Sequence, residues 1–123
     1  MGGSLERAIM DLLWAASQPL RTRELLTRLN EGADRPLAYN TVQTVAERLT
    51  RKGLLRRSPQ GQAFRYTPTR SREEHTAALV LEALTDSPDR SAIFARLAEA
   101  MDPADARQLL DALRKRTSGE RGD

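Results

Sequence analysis

The sequence predicts a mainly α-helical fold carrying one small β-hairpin, in two parts: residues 1–70 and a helical stretch over 71–116. Three observations lead to this. Apolar residues recur at helical spacing in each long segment from Leu5 onward. Between residues 38 and 70 a striped helix, a glycine stop and two alternating segments follow one another, which is the order of helix and wing in a winged helix-turn-helix. Beyond residue 71 come further stripes of leucine and alanine, each too short to enclose a core.

Ser4 is the expected N-cap of a first helix striped by Leu5, Ile9, Leu12 and Leu13, with Trp14 in the core near its end. Ser17-Gln18-Pro19 forms a turn, and Leu20-Arg21 a minimal strand able to pair with the later hairpin. Thr22 is expected to cap a second helix that turns Leu25, Leu26 and Leu29 inward and stops at Gly32 in a left-handed conformation. Arg35-Pro36 enforces an extended connection. The third helix, over 38–52, buries Val42, Val45, Ala46 and Leu49 and ends at Gly53, after cations that suit its negative end. Strands at 54–57 and 63–67 follow, joined by a turn at Ser58-Pro59-Gln60-Gly61; Phe64 and Tyr66 share one face and Arg65 takes the other.

Ser71 and Glu74 make a capping box for a fourth helix. A fifth is striped by Ile93, Phe94, Leu97, Ala98 and Met101, and Asp102-Pro103 opens a sixth with Ala106, Leu109, Leu110 and Leu113 inward. Residues 117–123 are expected to be a disordered tail.

Composition narrows the chemistry. The 123 residues include no cysteine and one histidine, His75, so disulfides, zinc–thiolate sites and a histidine metal cluster are excluded, and no cofactor is expected. His75 itself reads as exposed and incidental. Aromatics are limited to Trp14, Tyr39, Phe64, Tyr66 and Phe94, leaving the core to aliphatic side chains. No apolar run approaches the roughly 20 residues of a membrane span and no secretory signal opens the chain, so a soluble, cytoplasmic protein without stable membrane association is expected. The net charge of +3 conceals a division: residues 1–70 hold 12 Arg/Lys against 6 Asp/Glu, whereas 71–123 hold 8 against 11. A basic front and an acidic back fit a chain whose front alone meets a polyanion; scattered solvated charge is the plainer reading.

The third helix names that polyanion. Its outer side carries Asn40, Gln43, Thr44, Glu47 and Arg51, a hydrogen-bonding surface where an idle helix would show mostly Glu and Lys. Asn40, Gln43, Thr44 and Arg48 are expected to reach base edges of double-stranded DNA: amides pair with adenine, threonine meets thymine, arginine reads guanine. Tyr39, Thr41, Arg51, Arg57, Gln62 and Arg65 are expected at phosphates, the last three from the wing. Against these stand structural readings: Thr41 as a helix cap, Arg48 in a surface ion pair, and Phe64 and Tyr66 as hairpin packing. The later stripes, with Leu79, Leu84, Ile93, Phe94, Leu97, Leu109, Leu110 and Leu113, either fold back on the head or join a second copy as a homodimer; the need for two reading heads favours the dimer. Two other winged-helix classes remain open, a regulator with a small-molecule effector and a protein-interaction module that binds no DNA. An enzyme is disfavoured, since no catalytic grouping, metal-ligand spacing or glycine-rich phosphate loop occurs.

The segments LERAIMDLLW, LAYNTVQTVAERLTRKGLL and FRYTPTRSREEH resemble the penicillinase-repressor family of bacterial regulators (BlaI, MecI and CopY types), from Leu5 to Leu113. The middle segment is the most specific. This resemblance implies a dimeric winged-helix repressor on a dyad-symmetric operator, often of antibiotic-resistance or metal-handling genes. In several members it implies release through cleavage of the dimerisation part by a membrane sensor protease. Copper-responsive members carry a cysteine motif that is absent here, and Arg96-Leu97 occupies the place of the Asn-Phe bond cut in β-lactam-responsive members.

Overall fold

The computed structural model describes residues 2–121, which form two compact units, one reaching to Ala78 and the other beginning at Leu79. The first contains α1 (Gly2–Ala15), β1 (Leu20–Arg21), α2 (Thr22–Asn30), α3 (Tyr39–Arg51), β2 (Leu55–Gln60) and β3 (Ala63–Pro68). It also holds the start of α4 (Arg72–Thr85); α5 (Arg90–Ala100) and α6 (Pro103–Arg121) lie in the second. The mainly helical fold with a β-wing is as expected.

The sheet has the order β1-β3-β2, all antiparallel, so the minimal strand Leu20-Arg21 does pair with the hairpin. Tyr66 stands opposite both Leu20 and Arg57, and Arg65 opposite both Arg21 and Ser58. Alternation therefore turns Leu20, Leu55 and Tyr66 to the core and Arg21, Arg56 and Arg65 to the other face. The core joins Ile9, Met10 and Leu13 of α1, Leu25 of α2 and the expected α3 stripe of Val42, Val45, Ala46 and Leu49. Burying a side chain such as Leu49 contributes about 1.5–3 kcal/mol, so this stripe sets how α3 lies.

Several local expectations are corrected. α1 begins at Gly2, placing Ser4 inside the helix, because nothing ahead of Leu5 forbids helical backbone. Arg21, not Thr22, is the N-cap of α2; its backbone N–H donates to Glu24 Oε1 at 3.1 Å, while Thr22 is the first helical residue and is buried. β2 runs on through Ser58, Pro59 and Gln60, so the wing is longer than the sequence implies and turns at Gly61-Gln62. Pro59 is tolerated because β2 is an edge strand, and Gly61 has φ +63°, as a two-residue hairpin turn requires. α6 continues through the expected tail to Arg121, supported by Thr117 Oγ1 donating to the Leu113 carbonyl at 3.0 Å and by a Lys115–Asp111 pair; Gly122 and Asp123 lie outside the described residues.

Two features fix the end of α3 and the chain leading into α4. Gly53, at φ +82°, closes α3 with paired bonds, its own N–H to Thr50 O and that of Leu54 to Leu49 O, each 3.0 Å. Trp14 is half-buried rather than central; its indole N–H donates to the Arg70 carbonyl at 3.0 Å, and its ring packs on His75 at 5.2 Å. Arg72 lies over the same ring and pairs with Asp11 at 3.0 Å, which holds the start of α4 in the first unit. His75 is thus part of this packing, not incidental.

Gly53→Ala is expected to lower stability by about 1–2 kcal/mol, because the left-handed φ strains any Cβ; a thermal melt showing no loss would contradict this closure. The Glu24 carboxyl is held below its usual range chiefly by the Arg21 backbone N–H, and that of Glu74 by the Ser71 backbone N–H. Their stabilisation is present above the unfolded pKa and lost as pH falls through the lowered folded value. Stability should accordingly decline on the acid side, and less steeply in Glu24→Gln/Glu74→Gln, measured by denaturant titration across pH.

Candidate nucleic-acid interface

With Val42, Val45, Ala46 and Leu49 buried, helical geometry sets Asn40, Thr44, Glu47 and Arg51 on the opposite side of α3. Asn40, Thr44 and Arg51 are exposed, and Glu47 is half-buried. The helix is brought to this position by α2 beneath it and by the connection between them. Asn30 at the end of α2 brackets that connection, its amide donating to the Leu37 carbonyl at 3.1 Å and its oxygen accepting the Leu37 N–H at 2.7 Å.

Gln43 is placed differently from the other expected base readers. It lies to the side of the outer line, and its amide is engaged within the protein. Oε1 accepts from the Thr22 hydroxyl, and Nε2 donates to Glu47 Oε1 at 2.8 Å and lies 3.4 Å from the Tyr66 hydroxyl. A carboxylate only accepts, so the amide nitrogen must face Glu47 and the oxygen must face Thr22. Arg48 is also engaged: with Lys52 it turns toward α1, where the two cations share Glu6 at 3.6 Å and 3.0 Å. An ion pair of Arg48 is therefore present, but with Glu6 of α1 and not with Glu24 or the neighbours of Glu47.

Thr41 is not the helix cap. Ala38 takes that position, leaving α3 without a side-chain cap, and Thr41 is exposed in the first turn. Tyr39 is exposed, with Arg23 of α2 over its ring at 5.8 Å. On the wing, Arg57 lies on the core-side face and stacks over Phe64 at 4.3 Å, which pre-orders its guanidinium beyond the edge of the core. Arg65 faces the other side and donates to Gln60, while Gln62 is exposed at the turn. Tyr66 is packing, as its full burial requires; Phe64 is the platform for Arg57. A cleft of about 380 Å³ between the wing and the starts of α2 and α3 is lined by Arg21, Arg23, Tyr39, Gln43, Gln62 and Phe64, among others.

Sequence reasoning missed Thr22 and Arg23 as parts of this surface, and it placed Glu47 on the outer side of α3 without giving it a role. The Gln43–Glu47 bond is an i,i+4 contact within α3 that helical spacing permits, but the Thr22 hydroxyl that orients the Gln43 amide reaches it only once α2 and α3 pack.

In the second unit, Leu79, Phe94, Leu97, Leu109, Leu110 and Leu113 are all exposed, while Leu84 and Ile93 are half-buried. Among the described residues from Leu79 to the end of α6, none whose side chain is placed is buried. No helix among the described residues is long and apolar enough to cross a membrane.

The sequence profile of the penicillinase repressor family matches residues 2–115. The chain is 38% identical over 113 residues to the transcriptional regulator BlaI of Mycobacterium tuberculosis (strain H37Rv), covering 92% of this chain and 80% of that protein. Its counterpart in strain CDC 1551 matches equally. Among solved structures, the DNA-binding domain of the repressor BlaI aligns at 28% identity over 58% of this chain and 83% of that one, with a TM-score of 0.49. Bacillus subtilis PadR in complex with operator DNA aligns at 20% identity over 94% and 70%, with a TM-score of 0.46. A basic helix-and-wing surface and a profile match over nearly the whole length together place this chain in the penicillinase repressor family.

Proposed function

We propose that this chain represses transcription by binding double-stranded operator DNA as a homodimer, and that it carries no enzymatic activity. The observation that carries the reading is the outer line of α3. Asn40, Thr44 and Arg51 stand free of the core on a helix whose other side is wedged in place, with an ordered arginine on the adjoining wing. Such a helix suits the major groove, where amide, hydroxyl and guanidinium groups distinguish base pairs. Arg57, Gln62, Arg65 and the α3 start, with Tyr39 and Thr41, are assigned to the phosphate backbone, which supplies affinity and registration rather than sequence. The sequence similarity to a transcriptional regulator supports the same conclusion.

Homodimerisation is assigned to the second unit. Three amphipathic helical segments in which no described side chain is buried have no core of their own, and a twofold copy would supply one. Relief of repression by a sensor protease would act here too. Arg96 and Leu97 lie within α5, with the Arg96 side chain 85% exposed, so a cut at that bond needs α5 to open locally.

Thr44→Ala is expected to lower affinity for the selected operator by about 1–3 kcal/mol while leaving random DNA nearly unaffected. Arg57→Ala should weaken both alike and reduce the salt slope by about one. Titrations at several salt concentrations separate the two, and equal losses on both DNAs for Thr44→Ala would refute the division. Leu110→Glu, at a position exposed in the single chain, should shift the protein toward monomer in sedimentation and weaken operator binding in parallel. A variant that stays dimeric would remove Leu110 from the interface.

A further inference from the structure

We propose that Glu47 is a specificity-determining residue of α3 that accepts a hydrogen bond from the amino group of a cytosine, and that Gln43 is the residue that positions it. The inference rests on the DNA-reading role proposed above and names one base that role selects. Glu47 lies on the same outer line of α3 as Asn40, Thr44 and Arg51, where an acidic side chain is otherwise unfavourable beside a polyanion. It is also the one member of that line bound to the protein beneath. Its Oε1 accepts from Gln43 Nε2 at 2.8 Å, and Gln43 is in turn anchored by the Thr22 hydroxyl and the fully buried Tyr66. Among the described residues, Oε2 takes no hydrogen bond and neither Arg48 nor Arg51 pairs with it, so one acceptor remains on a held carboxylate.

The chemistry of the major groove then narrows the partner. A carboxylate that only accepts is repelled by guanine, which shows two acceptors, and by the thymine O4. Adenine offers an amino donor but sets the N7 acceptor beside it. Cytosine offers an amino donor whose own ring edge continues in C5–H and not in an acceptor, and so is the base a single carboxylate oxygen selects. Gln43 meanwhile has both amide groups engaged within the protein, its oxygen facing Thr22 and its nitrogen facing Glu47 and Tyr66, so pairing bidentately with adenine would break these bonds. Its contribution to recognition passes through Glu47.

The test is selection of bound sequences from a random duplex pool with the full-length wild type, Glu47→Gln and Gln43→Ala. The wild-type half-site should hold one cytosine preferred about tenfold over other bases, a preference within the range of one good base contact. Glu47→Gln should lose that preference, keep the rest of the motif, and bind random DNA at least as tightly, since a negative charge has gone. Gln43→Ala should weaken the preference at the same base pair. An unchanged motif for Glu47→Gln overturns the inference while leaving the DNA-reading proposal intact. Loss of an adenine at a different position in Gln43→Ala also overturns it, because Gln43 would then read a base directly. A wild-type protein that selects no motif overturns the DNA-reading proposal and this one together. Glu47→Gln preserves shape and disturbs no core residue, so its result decides the matter even if Gln43→Ala folds poorly.

Discussion

The register of β3 constrains the rest of the first unit. This strand is hydrogen-bonded on both edges, and at its centre Tyr66 faces Leu20 on one neighbour and Arg57 on the other. Tyr66 is fully buried, whereas its sequence neighbour Arg65 is on the opposite face. A slip of one residue would exchange them, burying a guanidinium and exposing the ring, so the pairing has only one acceptable alignment. That alignment fixes where the wing projects. It also sets the Tyr66 hydroxyl at the edge of the core beside Gln43, which links the sheet to α3.

From this anchor the surface proposed to read DNA divides into parts of different rigidity. The outer line of α3 is displayed on a helix clamped by its buried stripe, by the bonds at Gly53 and by the Asn30 bracket at the preceding loop. Rigid display suits base recognition, where a small misplacement removes a hydrogen bond. On the wing, by contrast, Arg57 is ordered by stacking on Phe64 and Arg65 by Gln60, contacts that preserve charge at the surface without burying it. Under the proposed function, charges held this way would meet phosphates with little desolvation penalty. Arg48 and Lys52 turn toward α1, where they share Glu6 and link α1 to α3.

The second unit obeys a different economy. Its helices are well capped, with Asp89 accepting from the Ala92 N–H and Asp102 from the Ala104 N–H, so local chemistry defines where each begins. Packing within the unit nonetheless leaves all of its described leucines except Leu84 open to solvent. Under the proposed dimer, association and the ordering of these helices become a single event, and operator affinity depends on protein concentration as much as on contacts to DNA.

The helical stripes, the glycine stops at Gly32 and Gly53, the minimal strand at Leu20-Arg21 and the capping box at Ser71 and Glu74 were all legible from residue order, because each depends on neighbours within a few positions. So was the outer line of Asn40, Thr44 and Arg51, which follows from helical periodicity alone. Tertiary structure decided what periodicity cannot express. Thr22 resembles a cap in sequence but meets Gln43 across 21 positions, Arg48 finds Glu6 in a different helix, and His75 rests on Trp14. The wing likewise extends past Pro59, because a strand's edge position is set by its partners and not by its own residues. Local order determines which backbone forms and which side faces inward; only packing between elements determines which polar side chains remain available to a ligand.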